Sequence, residues 1–202
     1  IAFINRLSAS GYAKIEATSF TSPKAIPALR DAEIVMHEIE RNPDVVYTVL
    51  VPNVRGAQRA LECKVDEVNL VMSVSETHNR ANLRMTREQS FEQLSDVVNA
   101  VRGSRVAINV SLSTVFGCPM EGDINAFEVF ELVGRFAALG VDGVTLCDTT
   151  GMAYPTQVGK IGREVRKLFP GLTTTMHFHN TRGMALANTL TAIEAGIDRF
   201  DA

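Results

Sequence analysis

The 202-residue sequence has no tryptophan, and aromatic residues make up only 6% of it. Cysteine occurs three times, too rarely to build a disulfide framework, which points to a reducing compartment. No apolar run approaches the roughly 20 residues that a membrane helix needs, so no membrane role is expected. A basic excess is also lacking: 20 Lys and Arg stand against 23 Asp and Glu, a formal charge of −3. No nucleic-acid partner is expected either, because that requires a basic surface. What remains is ordinary for a folded domain, with 46% hydrophobic and 21% charged residues. Disorder, collagen and coiled coil do not fit that balance.

The chain opens on Ile1-Ala2-Phe3-Ile4-Asn5-Arg6-Leu7, which reads as the last turns of an amphipathic helix. It closes on Ile197-Asp198-Arg199-Phe200-Asp201-Ala202, which reads as a strand beginning. The expectation is an interior stretch of a longer protein, because domains usually end in surface segments.

Between those ends, short β-rich runs alternate with longer helical patterns. Strands are expected at 13–17, 45–51, 67–72, 105–111, 143–147, 173–177 and 198–200, and helices at 24–40, 54–63, 86–101, 126–139, 156–168 and 184–195. Thr86 stands in an N-cap context before Glu88 and Gln89, and Gly140 and Gly196 stand where helices should stop. Strict alternation implies an α/β fold with a parallel sheet and right-handed crossovers. A doubly wound nucleotide-binding sheet should carry a Gly-rich turn after its first strand. Glu16-Ala17-Thr18-Ser19-Phe20 has none. Polar residues instead gather past strand C-termini: Glu16, Asn53, Ser73, Ser75, Asp148, His177 and His179. That is the distribution a (β/α)8 TIM barrel uses for its catalytic rim. Such a barrel takes about 250 residues, so residues 1–202 are expected to form one incomplete TIM-barrel domain. The first strand and the end of the eighth unit would be missing.

The strongest local signal is Met176-His177-Phe178-His179-Asn180. On an extended segment, residues two apart face the same side, so both imidazoles could ligate one cation. Two core histidines would give the same spacing. Asp148 ends the run Gly143-Val144-Thr145-Leu146-Cys147 and could serve a metal-bound water or a substrate proton. Asp followed by Thr and Gly is equally a turn signal. Glu16, among Ile15, Ala17 and Phe20, is costly to bury unless paired and otherwise reads as a surface residue. Cys63 and Cys147 read as core, Cys118 as a structural loop residue, and His78 as part of a solvated loop, with substrate contact as the alternative.

Five blocks in order resemble the 3-hydroxy-3-methylglutaryl-CoA lyase family, a group of metal-dependent TIM-barrel lyases related to Claisen-type synthases. They are Ile15-Glu16-Ala17-Thr18-Ser19-Phe20-Thr21-Ser22-Pro23-Lys24, Ser73-Val74-Ser75-Glu76, Phe116-Gly117-Cys118-Pro119-Met120-Glu121-Gly122, Leu146-Cys147-Asp148-Thr149-Thr150-Gly151, and the run from His177 to Thr189. The resemblance implies His177 and His179 as metal ligands and His177, Asp148 and Glu16 as catalytic residues. It implies Thr149 as a substrate contact. It further implies a divalent cation, Mg or Mn, an acyl-CoA substrate and retro-Claisen cleavage to acetyl-CoA and acetoacetate. A homo-oligomer in the cytoplasm is expected, with the mitochondrial matrix left open. The family's first-strand Arg-Asp pair, its Asn ligand and its catalytic Cys loop have no counterpart in this sequence. Asn180 replaces a common Asp, and His78 also occurs in condensing synthases of the 2-isopropylmalate, homocitrate or citramalate type. A synthase is therefore the alternative.

Overall fold

The structure is a computed structural model in which residues 1–201 are described. Its elements run α1 (Ala2–Ser8), β1 (Lys14–Ser19), α2 (Ala32–Glu38), β2 (Val46–Leu50), α3 (Val54–Glu62), β3 (Glu67–Ser73), α4 (Glu76–Leu83), α5 (Arg87–Val101), β4 (Ala107–Ser113), α6 (Ala126–Leu139), β5 (Gly143–Asp148), α7 (Pro155–Leu168), β6 (Thr173–Phe178), α8 (Ala185–Glu194) and β7 (Arg199–Asp201). The strands follow one another in chain order, β1 to β7. A doubly wound sheet reverses its order at a switch point. Sequential order without a reversal is the arrangement of a (β/α)8 barrel, here incomplete. Two compact units share the chain.

The first unit comprises residues 1–70 and 93–108. β1, β2 and the start of β3 pair in parallel. Tyr47, Val49 and Val68 are almost fully buried. Between Glu16 and Thr18 the β1–β2 register shifts, because Ala17 has no partner opposite it. That is a β-bulge. Tyr47 ends its hydroxyl on Ser8 Oγ at 2.8 Å, which ties α1 to the sheet. The helix over 24–40 is shorter than its sequence pattern predicts. Pro27 opens a single 3-10 turn, Pro27–Leu29, and the α-helix begins only at Ala32.

The second unit comprises residues 71–92 and 109–202, of which the last is outside the described residues. β4, β5, β6 and β7 pair in parallel. Val110, Leu112, Val144, Leu146 and Met176 form its fully buried layer. Residues of the other parity include Asn109 and Thr145, joined by a 2.9 Å hydrogen bond. α6 has the bounds its sequence predicts: Asn125 accepts the Phe127 N–H, and Gly140 takes the left-handed conformation that ends the helix. α5 starts with a reciprocal cap. Gln89 N–H donates to Thr86 Oγ1 (3.0 Å), and Thr86 N–H donates to Gln89 Oε1 (2.9 Å). Two expectations fail here. His78 lies on helix α4, not in a solvated loop, because Ser75 caps that helix and Asn79 anchors it. Cys147 is only half-buried, because its position in β5 faces the polar side of the strand.

Candidate active site

The second unit brings four of the expected residues to the C-terminal ends of β5 and β6. The register pairs Cys147 with His177. Strand alternation then carries His179 to the same side as His177. The two rings meet edge to face with centroids 4.8 Å apart. Asp201, at the end of β7, accepts a hydrogen bond at His177 Nδ1. A carboxylate behind one ring nitrogen is how metal-binding histidines are commonly oriented.

Asp148 is 1% exposed. Its two oxygens have different roles. Oδ1 accepts the backbone N–H of Met152 (2.8 Å) and Ala153 (3.1 Å), which is the turn role its sequence context suggests. Oδ2 is buried with no partner among the described residues. Burial pushes the carboxyl above its ordinary range, opposed by the Ala153 and Met152 N–H groups and by the nearby His179 ring. The Asp148 carbonyl also accepts the His179 N–H, so the ends of β5 and β6 stay joined where the chains turn away.

Three supports of this arrangement carry little or no signal in the sequence. Asn188 is fully buried on α8 and donates to the Ala153 carbonyl at 3.0 Å, which braces the loop that Asp148 holds. It sits in an apolar run, where only its polarity marks it. Gly151 adopts φ +70, and a Cβ there would lie 2.7 Å from the Thr181 side chain. The loops after β5 and β6 thus approach each other through a position that only glycine fills. Thr114 holds a left-handed φ of +60 although it is β-branched. Its N–H donates to Thr149 Oγ1 (2.8 Å), its own Oγ1 accepts the Ser75 N–H (3.2 Å), and its hydroxyl donates to the Ser113 carbonyl (2.6 Å). Backbone strain of this kind persists only when its surroundings fix it. No local sequence signal reveals it.

Thr149 therefore spends an oxygen lone pair on Thr114, which leaves the hydroxyl proton to donate. Glu16 belongs to the first unit. It is exposed, lies within β1 rather than at its end, and accepts the Asn69 side-chain N–H at 2.8 Å. Cys118 is fully buried, and its Sγ accepts the Met120 N–H, in keeping with a structural role. Among the described residues, no three of His, Cys, Asp and Glu cluster as a complete cation site. The donor set still suits a divalent ion. Two adjacent imidazoles, one backed by a carboxylate, with an orphaned buried carboxylate oxygen on the neighbouring strand, are groups that could hold such an ion.

No helix among the described residues is long and apolar enough to cross a membrane. Among known proteins, the chain is 43% identical over 201 residues to a hydroxymethylglutaryl-CoA lyase of Bacillus subtilis (strain 168), covering all of this chain and 67% of that protein. It is 36% identical over 202 residues to the mitochondrial hydroxymethylglutaryl-CoA lyase of Gallus gallus, covering all of this chain and 68% of that protein. A solved HMG-CoA lyase from Acinetobacter baumannii, in complex with coenzyme A and 3-methylmalate, superposes with a TM-score of 0.94 at 49% identity, over all of this chain and 66% of that one. The chain thus spans about two thirds of the length of these relatives. The HMGL-like family model matches residues 1–202. By its strand order, its histidine pair and these matches, the chain belongs to the HMGL-like family.

Proposed function

We propose that residues 1–202 are the larger part of the catalytic barrel of a carbon–carbon lyase. Its substrate is a 3-hydroxy-3-methylglutaryl-CoA-like thioester, and its products are acetyl-CoA and acetoacetate. The observation that carries this reading is the His177–His179 pair, 4.8 Å between rings, beside the buried Asp148. The relatives are lyases at 36–49% identity, which favours cleavage over condensation with acetyl-CoA. A cytoplasmic homo-oligomer is part of the same proposal.

His177 and His179 would hold a divalent cation, Mg or Mn, which when bound supplies Lewis-acid polarisation of substrate oxygens. The chain's own groups do the rest. Asp148 Oδ2 is the oxygen not committed to the turn, and it accepts the proton of the tertiary hydroxyl as the carbon–carbon bond breaks. The bonding pair passes to the thioester enolate, and the proton held on the carboxyl is returned to the enolate carbon to give acetyl-CoA. Oδ1, fixed by Met152 and Ala153, keeps that carboxylate from rotating. The Thr149 hydroxyl donates to a substrate oxygen. Glu16 is proposed as a further active-site acid on the resemblance alone.

The test substitutes His177→Asn and His179→Asn separately in the full-length protein. Bound Mn and the rate of thioester cleavage are then measured. Loss of both supports the reading; unchanged metal content together with unchanged turnover removes it.

A further inference from the structure

We infer that Ser73 and His78 form a fixed hydrogen-bond donor for a carbonyl oxygen on the arm of a coenzyme A thioester. The inference rests on the lyase reading for its substrate and on the structure for its geometry.

Ser73 is the last residue of β3 and is fully buried. Its Oγ lies 2.7 Å from His78 Nδ1, two residues into α4. No other partner of that hydroxyl occurs among the described residues. A buried hydroxyl proton needs an acceptor, and Nδ1 is the one within reach. Nδ1 thus accepts, and the ring carries its proton on Nε2. Nε2 has no protein partner among the described residues, and it is not one of the sealed unpartnered atoms. It is an open N–H donor.

The backbone of both residues is held in place. Asn79 is fully buried and accepts the Ser73 N–H at 2.9 Å. Its amide nitrogen lies within hydrogen-bond distance of the carbonyls of Met85 (2.9 Å) and Thr86 (3.1 Å) and of Ser90 Oγ (2.7 Å), so both of its N–H protons are engaged. Ser75 Oγ accepts the His78 N–H at 3.0 Å. Such a network fixes α4 against the strand end and costs the donor little entropy on binding.

Position and charge select the ligand. The pair lies at the same strand ends as Asp148, linked to them through Ser75, Thr114 and Thr149. Parallel strands are about 4.8 Å apart, so β3 stands roughly 10 Å from β5 along the sheet and about 14 Å from β6. Those distances suit a long ligand whose other end reaches the histidine pair. Glu76 is paired with Arg80 at 2.7 Å and Glu121 accepts the Thr77 N–H at 2.6 Å, so the group offered to a ligand here is the neutral ring N–H itself. An uncharged amide or thioester carbonyl is the matching acceptor.

The experiment uses full-length protein carrying Ser73→Ala, His78→Leu or His78→Gln, with melting temperatures to confirm folding. Binding of coenzyme A and of acetyl-CoA is measured by calorimetry, and kcat and KM are measured for thioester cleavage. His78→Leu is expected to weaken coenzyme A about tenfold, as loss of one hydrogen bond does, and to raise KM with kcat nearly unchanged. Ser73→Ala gives a smaller loss, and His78→Gln, which keeps an N–H, recovers part of the affinity. Weakening of acetyl-CoA but not coenzyme A assigns the thioester carbonyl; equal weakening assigns the amides. Wild-type affinity in a folded His78→Leu, or a change confined to kcat, overturns the inference. Wild-type protein that binds coenzyme A without cleaving the thioester overturns the lyase reading and leaves His78 decided by binding. Protein that binds neither coenzyme A nor acetyl-CoA overturns both.

Discussion

Lys14 and Glu67 bridge β1 and β3 across the intervening strand, with Lys14 Nζ 2.7 Å from one carboxylate oxygen and 2.6 Å from the other. The Glu67 side chain is 10% exposed and that of Lys14 is 36% exposed. Glu67 is thus the member that suffers when the pair breaks. Lys14→Met is expected to destabilise the fold by about 1–3 kcal/mol, the cost of a stranded polar partner. Adding Glu67→Leu should restore part of that loss, because a paired apolar replacement removes the stranded charge. Urea unfolding of both variants measures the difference, and a double variant no better than the single one contradicts it.

Asp148 separates structure from chemistry by oxygen. In Asp148→Asn, the amide oxygen can keep the Met152 and Ala153 N–H bonds. Melting temperature should move by only a few degrees. Cleavage should fall by about 10²–10⁴-fold, the usual contribution of a positioned acid or base. A variant that retains more than a tenth of wild-type turnover would count against Asp148 as the proton acceptor.

Thr114 inverts the usual ranking of alanine and glycine. Thr114→Ala loses the partner of the buried Ser75 N–H and keeps the left-handed backbone, at a cost of about 1–3 kcal/mol. Thr114→Gly loses the same partner but relieves about 1 kcal/mol of backbone strain. The glycine variant should therefore be the more stable of the two in chemical denaturation. The opposite order would show that the backbone there is unstrained.

Glu33 lies below its ordinary carboxyl range chiefly because Arg59 donates a hydrogen bond to it, with burial opposing. A depressed carboxyl contributes stability above its unfolded pKa, and that contribution is lost as pH falls through the folded one. The side chains of Arg59 and Glu33 are 23% and 38% exposed, so solvent limits the pair to about 0.2–1 kcal/mol. Glu33→Gln should therefore lower stability slightly at pH 7. The gap should close as pH drops below the ordinary carboxyl range. Melting curves at pH 7, 5 and 3 track it; a gap that widens toward pH 3 contradicts the sign.

Much of this architecture is written locally. α6 can be bounded from sequence because both of its stops, Asn125 and Gly140, are local signals. The histidine pair can be anticipated because strand alternation depends only on spacing. α4 cannot. Glu76-Thr77-His78-Asn79-Arg80-Ala81-Asn82-Leu83 has almost no apolar period, and the helix is held by Asn79 reaching residues 85, 86 and 90. α2 reads too long because the run before Ala32 is helical in composition, while Pro27 restricts its backbone to a single tight turn. The division of labour between the Asp148 oxygens, and the bracing by Asn188, depend on contacts that form only when distant segments meet.

Ala17 has the smallest side chain in its stretch of β1 and nothing opposite it on β2. Thr18 already pairs with Val49 and Ser19 with Leu50, so removing that single residue would close the bulge and leave Thr18, Ser19 and Phe20 on their present sides. With Ala17 kept but the pairing made continuous, strict alternation from Ile15 would instead turn Phe20, now 1% exposed, to the polar side. A one-residue deletion at this spot should therefore be tolerated better than a shift of register.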